Sequence, residues 1–365
     1  MSEESLVTAV GAISGTSMDG IDVAMVETDG DLVIRPGSGH SYPYPPALRD
    51  MLFRVLDKPE IAKTDPLVAA EEAVTVAFVG AIRSFLAELG PRGAAVSLIG
   101  LHGQTVFHRP EERFTRQLGL GARVAAELGI STVDRFRHAD VAAGGEGAPF
   151  APLYHRALAS GLPQPVMILN LGGVGNVTYV DGDNVLAFDT GPASALLDDF
   201  VQRRLGLAFD EDGRLAASGM VDEAMVDDFM SNPFFDRRPP KSLDRNDFHA
   251  RAAAIGSLSD ADGAATLAAF TVESVVAALR YTPCRPLRWL VTGGGRRNGF
   301  FIRRLNERLG VPVEPVEAVG WDGDFLEAQC FAYLAVRSTT GRPLSLPSTT
   351  GVPYPMPGGE LHRAA

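Results

Sequence analysis

Residues Val10–Glu27 read "VGAISGTSMDGIDVAMVE" and join two apolar runs through a small, polar segment. The runs cover residues 7–13 and 21–26, and the Asp-Gly pair between them is a strong signal for a β-hairpin. A plain hairpin loop takes about two to five residues. This segment instead gathers glycines, hydroxyl groups and carboxylates. Two interpretations follow, an elaborate turn or a loop that binds a ligand.

The second half of the chain repeats the order of features seen in the first. Apolar runs at residues 166–169, 177–180 and 185–188 are joined by a glycine-rich loop and a DGDN turn. The first half has a glycine-rich loop at residues 14–20 and a DGD turn at residues 29–31, each between apolar runs. Both halves are therefore predicted to open with a three-stranded meander. Because strand and helix patterns alternate elsewhere, we expect an α/β protein of two similar lobes that face each other across a cleft.

Composition and charge narrow the class of protein. A chain of 365 residues is long enough for two domains, and a net charge of −12 argues against a nucleic-acid surface. Cys284 and Cys330 stand apart, so the sequence holds no disulfide framework and indicates a reducing compartment. The first residues lack the basic and apolar pattern of a signal peptide, and no apolar run approaches about 18 residues. We expect a cytoplasmic protein without a nucleic-acid or membrane partner.

Several further elements are predicted from periodicity and end signals. The clearest helix spans residues 65–90, with Asp65 as its cap and Gly90 at its end. A buried strand at residues 96–101 is predicted to end at the sequence HGQT, and residues after 341 are predicted to be extended or disordered. Further helices are expected at residues 264–279, 299–309 and 324–337.

The loop at residues 14–22 has the chemistry of a phosphate site. Backbone N–H groups freed by glycine, together with hydroxyl groups, form a concavity that fits phosphate oxygens. The loop is not a Walker A motif, because no Gly-Lys-Ser/Thr follows the glycines. Asp19 and Asp22 would repel phosphates unless a cation or a hydrogen-bond network intervenes, and Mg²⁺, bound directly or through water, is one natural choice.

Two motifs of the second half carry further candidates. The sequence "NLGGVGN" at residues 170–176 superficially resembles a dinucleotide fingerprint, but its spacing differs and a strand follows, which disfavours a dehydrogenase. Asp189 is predicted to end a strand just before a helix that begins at Pro192. It is either the N-cap of that helix or a carboxylate that orients and activates a nucleophile.

Other motifs leave a structural and a functional interpretation open. The triple glycine at residues 293–295 is either a tight β–α connection or a place where a planar ligand approaches the backbone. His102 and Gln104 are either structural or site residues. Glu327 has capping-box spacing from Asp324. Several glycine-rich, acid-bearing loops around one cleft suit phosphoryl transfer, which depends on positioning and charge neutralisation.

An ordered set of motifs carries a specific resemblance. The motifs are "ISGTSMDGID", "HGQTVFHRP", "DVAAGGEGAP", "NLGGVGN", "FDTGP", "GGGRRN" and "EAQCFAYLA", and they run from residue 13 to residue 335. Together they resemble the anhydro-N-acetylmuramic acid kinases. The resemblance implies an actin-like, ribonuclease-H-like fold with ATP bound in the cleft between the lobes. We expect residues 1–137 with about 340–365 in the N-terminal lobe and residues 138–339 in the C-terminal lobe.

The resemblance also implies roles for individual residues. Asp189 matches the family's catalytic base, and Asp189 with Glu327 would hold Mg²⁺. His102, Gln104, Arg137 and Asp189 would bind the sugar. The nucleotide would contact Gly15, Thr16, Ser17, Met18, Asp19, Gly20, Ile21, Asp22, Asn170, Gly172, Gly173, Asn176, Gly293, Gly294, Gly295 and Asn298.

The implied reaction opens the 1,6-anhydro ring of anhydro-N-acetylmuramic acid with water and phosphorylates O6 from ATP, during cell-wall recycling. The family also suggests a homodimer. Arg137 would hold the lactyl carboxylate of the sugar, or alternatively form a surface salt bridge. The alternatives for the whole protein are a kinase of another anhydrosugar such as levoglucosan, or a nucleotide-binding regulator without catalysis.

The chain departs from the family pattern at three places. Arg135 stands where the family has an acid, Glu146 stands where glutamine is usual, and "KSLDRND" at residues 241–247 replaces a typical "KSTGRE". Some of these positions belong to the expected sugar side. These departures therefore bear on which sugar the protein binds, and less on its assignment as a kinase.

Overall fold

The computed structural model of the protein describes residues 6–15, 18–243, 248 and 252–364. The chain divides into two compact units, Met1–Ser160 with Phe325–Ala365 as the first and Gly161–Asp324 as the second. Each unit contains one β-sheet, and the α/β prediction is confirmed.

The strands of the first unit are β1 (Val7–Ser14), β2 (Gly20–Thr28), β3 (Ile34–Pro43), β4 (Leu98–Arg109), β5 (Phe114–Leu118), β6 (Ser131–Asp134) and β12 (Glu360–His362). Those of the second unit are β7 (Val166–Leu171), β8 (Val174–Asp181), β9 (Asn184–Pro192), β10 (Arg288–Thr292) and β11 (Val313–Pro315).

The α-helices of the first unit are α1 (Pro46–Leu56), α2 (Pro59–Thr64), α3 (Val68–Glu88), α4 (Pro91–Ala94), α5 (Gly121–Leu128), α6 (His138–Ala142), α7 (Pro152–Leu158), α13 (Leu326–Thr339) and α14 (Pro347–Thr350). Those of the second unit are α8 (Ser194–Leu205), α9 (Arg214–Ser218), α10 (Glu223–Met230), α11 (Asp260–Ala277) and α12 (Gly299–Leu309). Short 3-10 helices cover Pro110–Glu112, Ala159–Gly161, Glu211–Gly213, Pro233–Asp236, Ala253–Ser257, Ala278–Tyr281, Gly294–Arg297 and Val316–Val319.

The two sheets share one strand order. In the first unit β3, β2 and β1 form an antiparallel meander, and β4 and then β6 continue the sheet in parallel from β1. In the second unit β9, β8 and β7 form the same meander, continued in parallel by β10 and β11. The first sheet adds β5 beside β4 and β12 beside β6. The predicted duplication is thus present in the topology as well as in the order of motifs.

The unit boundaries differ from those predicted at residues 137 and 340, because α13 packs on the first sheet. A Cβ atom on Gly11 of β1 would lie 1.8 Å from the carbonyl oxygen of Ala328, and one on Gly100 of β4 would lie 2.0 Å from that of Phe331. The backbone of α13 therefore rests directly on two glycines of the sheet. Its Gln329 also bonds Tyr154 of α7, which holds α7 in the first unit.

The predicted helix at residues 65–90 forms as α3 (Val68–Glu88), three residues shorter at its start and two residues shorter at its end. The Asp65 side chain accepts a hydrogen bond from the N–H of Leu67, whose φ of 54° delays the helical start. The predicted apolar face is buried in the core of the first unit, where Val74, Phe78 and Ile82 pack against the sheet.

The segment after residue 341 is ordered, so the prediction of an extended or disordered tail is wrong. Leu344 and Met356 pair through their backbones, and β12 adds to the sheet beside β6. The buried carboxylate of Asp140 accepts hydrogen bonds from the hydroxyl groups of Ser345 and Thr350. Side-chain hydrogen bonds from α6, rather than local periodicity, fix this part of the chain.

One segment, Asp260–Tyr281, is long and apolar enough to span a membrane by length and composition alone. In the structure its α11 part is the central helix of the second unit, and 72% of its apolar window is buried inside the protein. Leu267, Phe270 and Val275 of α11 belong to the hydrophobic core of that unit. A helix that is apolar around its whole circumference is expected in such a core.

Candidate functional site

In the first unit, Gln104 of β4 holds the start of the glycine-rich loop. The Ser14 hydroxyl lies 2.7 Å from Oε1 of Gln104 and 2.8 Å from the carbonyl oxygen of Gly20, and it can donate its proton to either. Nε2 of Gln104 donates to the carbonyl oxygen of Gly15 at 3.3 Å. Gln104 is fully buried, so these contacts join the two ends of the loop. The predicted loop residues Thr16 and Ser17 lie outside the described residues.

The side chains of Met18 and Ile21 are buried in the core of the first unit and cannot contact a nucleotide. Only their backbone groups can serve the predicted phosphate site. Met18 has a φ of 51°, and its N–H donates to the carbonyl oxygen of Gly15, which closes a tight turn. Gly20 cannot carry a side chain, because a Cβ atom would lie 2.4 Å from the carbonyl oxygen of Tyr42. Asp19 is exposed.

Two of the predicted carboxylates lie in the same region of the first unit. Asp22 pairs with Ile13 of β1 and Ser41 of β3, and it accepts a hydrogen bond from the Ser41 hydroxyl. Glu327 stands in the first turn of α13 and is exposed. Desolvation by the surrounding protein raises the pKa of Glu327. The positive charge of Arg137 opposes this increase, and the negative charge of Asp22 adds to it.

The capping-box interpretation of Glu327 is wrong. Helix α13 begins at Leu326, after Phe325, and no side chain caps it. Asp324 instead accepts hydrogen bonds from Arg296 at 2.9 Å and Arg297 at 2.6 Å within the second unit. The carboxylate that would have capped α13 therefore belongs to an ion-pair network of the other unit.

His102 and Arg137, both predicted to bind the sugar, contact each other. Nε of Arg137 donates to Nε2 of His102 at 2.9 Å, and Nδ1 of His102 donates to the carbonyl oxygen of Gly103 at 3.0 Å. Burial and the Arg137 charge lower the pKa of His102 well below its usual value, which keeps the imidazole neutral. The hydrogen bonds thus place the proton of the neutral ring on Nδ1.

Arg137 is oriented from several sides. Its Nη1 donates to the carbonyl oxygen of Gly147, and its guanidinium lies 5.5 Å from the centroid of the Phe150 ring. Among the described residues no carboxylate lies within ion-pair distance of Arg137, so the interpretation as a surface salt bridge is wrong. A partly buried guanidinium with a fixed direction is a suitable partner for a carboxylate of a ligand.

His102 lies within β4 rather than at its end, which corrects the predicted strand boundary. The strand runs on to Arg109 because β5 pairs with its second half. Relative to β1, however, Gln104 stands opposite Ser14, the last residue of that strand. A cavity of 340 Å³ opens beside His102, and its walls include Gln117, Asp134 and Arg135.

In the second unit, four polar residues form one row across the sheet. The pairings join Thr292 of β10 to Asn170 of β7, Asn170 to Asn176 of β8, and Asn176 to Asp189 of β9. Residues directly opposite each other on neighbouring strands project to the same face. Their neighbours in sequence, such as Leu169, pack in the hydrophobic core on the other face. Sequence reasoning found three members of this row and missed Thr292.

Asp189 is held by the segment that follows the 3-10 helix at Pro233–Asp236. The N–H of Asp189 donates to the carbonyl oxygen of Lys241 at 3.0 Å, and Oδ2 accepts from the N–H of Leu243 at 2.9 Å. The N-cap interpretation of Asp189 is wrong, because β9 continues to Pro192 and α8 begins only at Ser194. The carboxylate is therefore a side chain of the polar row.

The glycines of the "NLGGVGN" loop contact the first turn of α8. The carbonyl oxygen of Gly172 accepts from the N–H and hydroxyl of Ser194, and that of Gly173 accepts from the N–H groups of Ala193 and Ala195. These N–H groups at the start of α8 thus bond the loop. A nucleotide at this loop would contact the loop backbone on the side away from α8.

The triple glycine has two packing positions and one open position. A Cβ atom on Gly293 would lie 2.3 Å from Oδ1 of Asn170, and one on Gly295 would lie 2.6 Å from Cβ of Leu171. A Cβ atom on Gly294 would have no non-neighbouring heavy atom within 4 Å. The close approach expected of this motif is made by β7 at two positions, and only Gly294 leaves space for a ligand.

Asn298, predicted near the adenosine, is the N-cap of α12. Its Oδ1 accepts from the N–H groups of Phe300 and Phe301 at 3.0 and 3.2 Å. Next to this turn lies a cavity of 740 Å³ whose walls include Arg296 and Trp321. The volume falls in the range of small-molecule sites.

Lys241 is the functional candidate that sequence reasoning missed. The sequence of residues 232–249 is rich in proline, arginine and aspartate and predicts an irregular surface excursion. Phe234, Phe235 and Lys241 are nevertheless buried; residues 244–247 and 249 lie outside the described residues. Burial lowers the pKa of Lys241 to about 8, helped by the charges of nearby arginines, while the Asp189 carboxylate opposes the shift. A lysine among several aromatic residues was the signal available in the sequence.

The three departures from the family pattern fall on different features. Arg135 is exposed, has a φ of 54° and forms an ion pair with Glu360 at 2.7 Å. The N–H of Glu146 donates to the carbonyl oxygen of Thr350, which ties its loop to the C-terminal segment. The third departure begins at Lys241 and extends beyond the described residues.

Comparison with known proteins gives one consistent family. A family model described as anhydro-N-acetylmuramic acid kinase matches residues 7–362. A protein of that name from Paramagnetospirillum magneticum is 51% identical over 97% of this chain and 99% of its own length. Another from Rhodospirillum rubrum is 48% identical over 98% of this chain and 95% of its own length.

Solved structures with a similar arrangement are more distant. The activator of the 2-hydroxyisocaproyl-CoA dehydratase from Clostridium difficile, with bound ADPNP, is 11% identical with a TM-score of 0.47 over 92% of this chain and 96% of its own. A ROK family glucokinase from Streptomyces griseus, in complex with glucose and AMPPNP, is 15% identical with a TM-score of 0.36 over 90% of this chain and 99% of its own.

Proposed function

The chain belongs to the anhydro-N-acetylmuramic acid kinase family, and on that premise we propose that it phosphorylates anhydro-N-acetylmuramic acid at O6 from ATP while water opens the 1,6-anhydro ring. The product is N-acetylmuramic acid 6-phosphate. The observation that carries the proposal is the position of Asp189, a carboxylate in a polar row whose Oδ2 is held by the Leu243 N–H. A helix cap would have its carboxylate committed to the helix instead.

Asp189 is the proposed general base. Its carboxylate orients a water and takes a proton from it as the water oxygen bonds to C1 of the sugar. The bond between C1 and O6 breaks, and the released O6 bonds to the γ-phosphorus of ATP as the bond from that phosphorus to the β,γ-bridging oxygen breaks and ADP leaves. The hydrogen bond from Leu243 helps to orient the carboxylate, and catalysis of this kind depends on such orientation.

We propose that the nucleotide contacts the two glycine-rich loops and the triple glycine. Gln104 shapes the first loop through Ser14 and Gly15. Asn170, Asn176 and the loop between them supply the second. The adenosine is assigned to the open side of Gly294 and the neighbouring cavity of 740 Å³.

Arg137 is the proposed partner of the lactyl carboxylate. Its guanidinium has no carboxylate within ion-pair distance among the described residues, and His102 and Gly147 fix its direction. This assignment favours a muramic acid derivative over levoglucosan, which lacks the lactyl group.

The acidic groups of the first unit fit a magnesium ion. Desolvation by the surrounding protein is the main cause that raises the pKa of Glu327, and the Asp22 charge adds to the shift, which supports a place where two carboxylates interact. Carboxylate oxygens and water are the ligands that Mg²⁺ prefers. The resemblance to the family is what assigns Glu327, together with Asp189 of the second unit, as its ligands, and bound Mg²⁺ would neutralise charge on the transferred phosphoryl group. Glu327→Gln should raise the Mg²⁺ concentration for half-maximal rate at least about fivefold, whereas Glu307→Gln on the exposed side of α12 should not.

A product assay in isotopically labelled water tests the reaction. The chain, ATP and anhydro-N-acetylmuramic acid are incubated in H₂¹⁸O, and the products are followed by mass spectrometry at early times. We expect a sugar phosphate with one ¹⁸O at C1 and an unlabelled phosphoryl group. An unlabelled product, or higher turnover with levoglucosan, would contradict the proposal.

Asp189→Asn separates catalysis from binding. We expect turnover to fall by at least about a thousandfold, since general-base catalysis typically contributes 10²–10⁴, with ATP affinity retained. The control is Asp183→Asn in the exposed turn between β8 and β9. Unchanged turnover in Asp189→Asn would favour the regulator over the kinase.

We propose a homodimer in the cytoplasm, which light scattering after size exclusion and cell fractionation would test. The two cysteines are free in the structure, Cys284 exposed and Cys330 buried, which supports a reducing compartment.

A further inference from the structure

The buried Lys241 occupies an aromatic pocket of the second unit. Its ammonium lies 4.3 Å from the centroid of the Phe234 ring, 5.0 Å from that of Tyr281 and 6.0 Å from those of Phe188 and Phe235. Nζ also donates to the carbonyl oxygen of Phe234 at 3.0 Å. These rings leave no room for a water molecule beside the lysine.

Such a position is costly for a charged side chain. Moving an ammonium out of water carries a desolvation penalty. Its interactions with the aromatic faces and with one carbonyl oxygen offset only part of that penalty. A methionine would fill the same space at lower cost. Lysine occurs at Lys58, Lys63 and Lys241 of the chain, and Lys58 is exposed. The buried ammonium therefore calls for a role other than stability.

The backbone that leaves Lys241 holds Asp189 at two points. The Lys241 carbonyl oxygen accepts from the N–H of Asp189, and the Leu243 N–H donates to Oδ2 of Asp189. The Lys241 ammonium enters the cage of rings, while the Leu243 side chain packs against the hydrophobic core of the unit. The cage also touches β9, since a Cβ atom on Gly191 would lie 3.3 Å from the Phe235 ring.

We propose that Lys241 is a positioning residue for Asp189: the ammonium anchors residues 241–243 in the aromatic cage, so that Leu243 holds the carboxylate in the direction that the attacking water requires. The inference rests on the proposed function, in which Asp189 is the general base. Lys241 itself touches neither substrate nor reacting atoms. Its effect reaches the reaction through the Leu243 hydrogen bond.

Lys241→Met tests the proposal, because methionine keeps the apolar stem and removes the ammonium. We expect kcat to fall about 10- to 100-fold, the range for a misplaced catalytic group, while KM for ATP and for the sugar stays within about twofold. Lys58→Met is the matched control and should match the wild type.

Amide hydrogen exchange supplies a measurement that needs no turnover. In Lys241→Met the amides of Asp189 and Leu243 should exchange at least about tenfold faster, because the segment is no longer anchored. Amides of β7 should be unchanged. If Lys241→Met does not fold, Phe234→Leu is the second variant, because it removes the ring nearest to the ammonium. It should also speed the exchange of the Asp189 and Leu243 amides, by a smaller factor.

Two results would overturn the inference. One is a kcat within twofold of the wild type in a folded Lys241→Met or Phe234→Leu variant. The other is a loss of kcat without faster exchange at Asp189 and Leu243. If the wild-type chain itself shows no turnover, the proposed function fails, and the exchange data alone still decide whether Lys241 anchors the segment.

Discussion

Gln104 on β4 and Ser14 at the end of β1 are joined by a buried hydrogen bond of 2.7 Å, although 90 residues separate them. Through this bond and the contact with Gly15, one side chain fixes the beginning of the first glycine-rich loop. Nε2 of Gln104 also donates to the carbonyl oxygen of Thr105 at 3.2 Å, and through Ser14 and Gly15 it would act on a bound ligand by shaping the loop.

Gln104→Leu should disturb nucleotide binding. The substitution removes both contacts and leaves a buried carbonyl oxygen and hydroxyl with fewer partners, at a cost of about 1–3 kcal/mol. We expect a KM for ATP raised at least about fivefold and a lower melting temperature. Steady-state kinetics and thermal unfolding measure the two effects. The control is Gln202→Leu on the exposed side of α8, and equal effects in both variants would contradict the role of Gln104.

Arg137→Met should weaken binding of a sugar that carries the lactyl carboxylate. A charge-assisted contact of this kind is worth about 1.5–3 kcal/mol, so KM for anhydro-N-acetylmuramic acid should rise at least about tenfold. KM for ATP should not change. Arg83→Met on the exposed side of α3 is the control, because its ion pair with Glu127 contributes about 0–1 kcal/mol. If Arg137→Met lowers the turnover of anhydro-N-acetylmuramic acid and that of levoglucosan by the same factor, Arg137 does not recognise the lactyl group.

The three glycines at residues 293–295 should respond differently to alanine. Gly293→Ala and Gly295→Ala force a Cβ atom against Asn170 and Leu171, and overpacking of this kind costs about 1–3 kcal/mol. Gly294→Ala meets nothing within 4 Å and should leave the melting temperature unchanged. It should nevertheless raise KM for ATP severalfold. An unchanged KM for ATP in Gly294→Ala would show that the adenosine does not bind on this side of the turn.

Two buried imidazoles give the first unit a pH-dependent stability. Burial lowers the pKa of His155 from 6.5 to about 4, and burial with the Arg137 charge lowers that of His102 well below 6.5. Between pH 6.5 and 4 the unfolded chain binds more protons than the folded chain. Stability therefore falls as the pH falls through this window, by about 1.4 kcal/mol per pH unit for each histidine.

Urea denaturation between pH 7 and 4.5 measures this slope. His155→Gln should reduce it by the share of one histidine, whereas the exposed His40→Gln should leave it close to that of the wild type. A slope that His155→Gln does not change would show that His155 is protonated in the folded protein.

Local sequence was sufficient for the repeated meanders. Apolar runs, Asp-Gly turns and glycine-rich loops occur in the same order in both halves, and both sheets show the same strand order. The helix at Gly299–Leu309 was predicted with its exact bounds, because Asn298 and Gly310 are local end signals. Each of these features depends on neighbours only a few residues apart.

Predictions that depended on distant partners were wrong more often. The tail after residue 341 lacks helical or strand periodicity, yet Asp140 holds Ser345 and Thr350. The strand that carries His102 was predicted too short, because β5 extends the pairing beyond it. A cap was a reasonable role for Asp189 until the structure showed that β9 continues to Pro192.

The sequence by itself determined the α/β class, the duplicated meander and the motifs of the family, because periodicity and turn chemistry act over a few residues. Only the tertiary structure decided which of those motif residues meet. It joined Gln104 to Ser14 and Arg137 to His102, and it enclosed Lys241 in aromatic rings beside the strand of Asp189. Such contacts arise when packing brings distant segments together and buried polar groups must find partners, which no local pattern encodes.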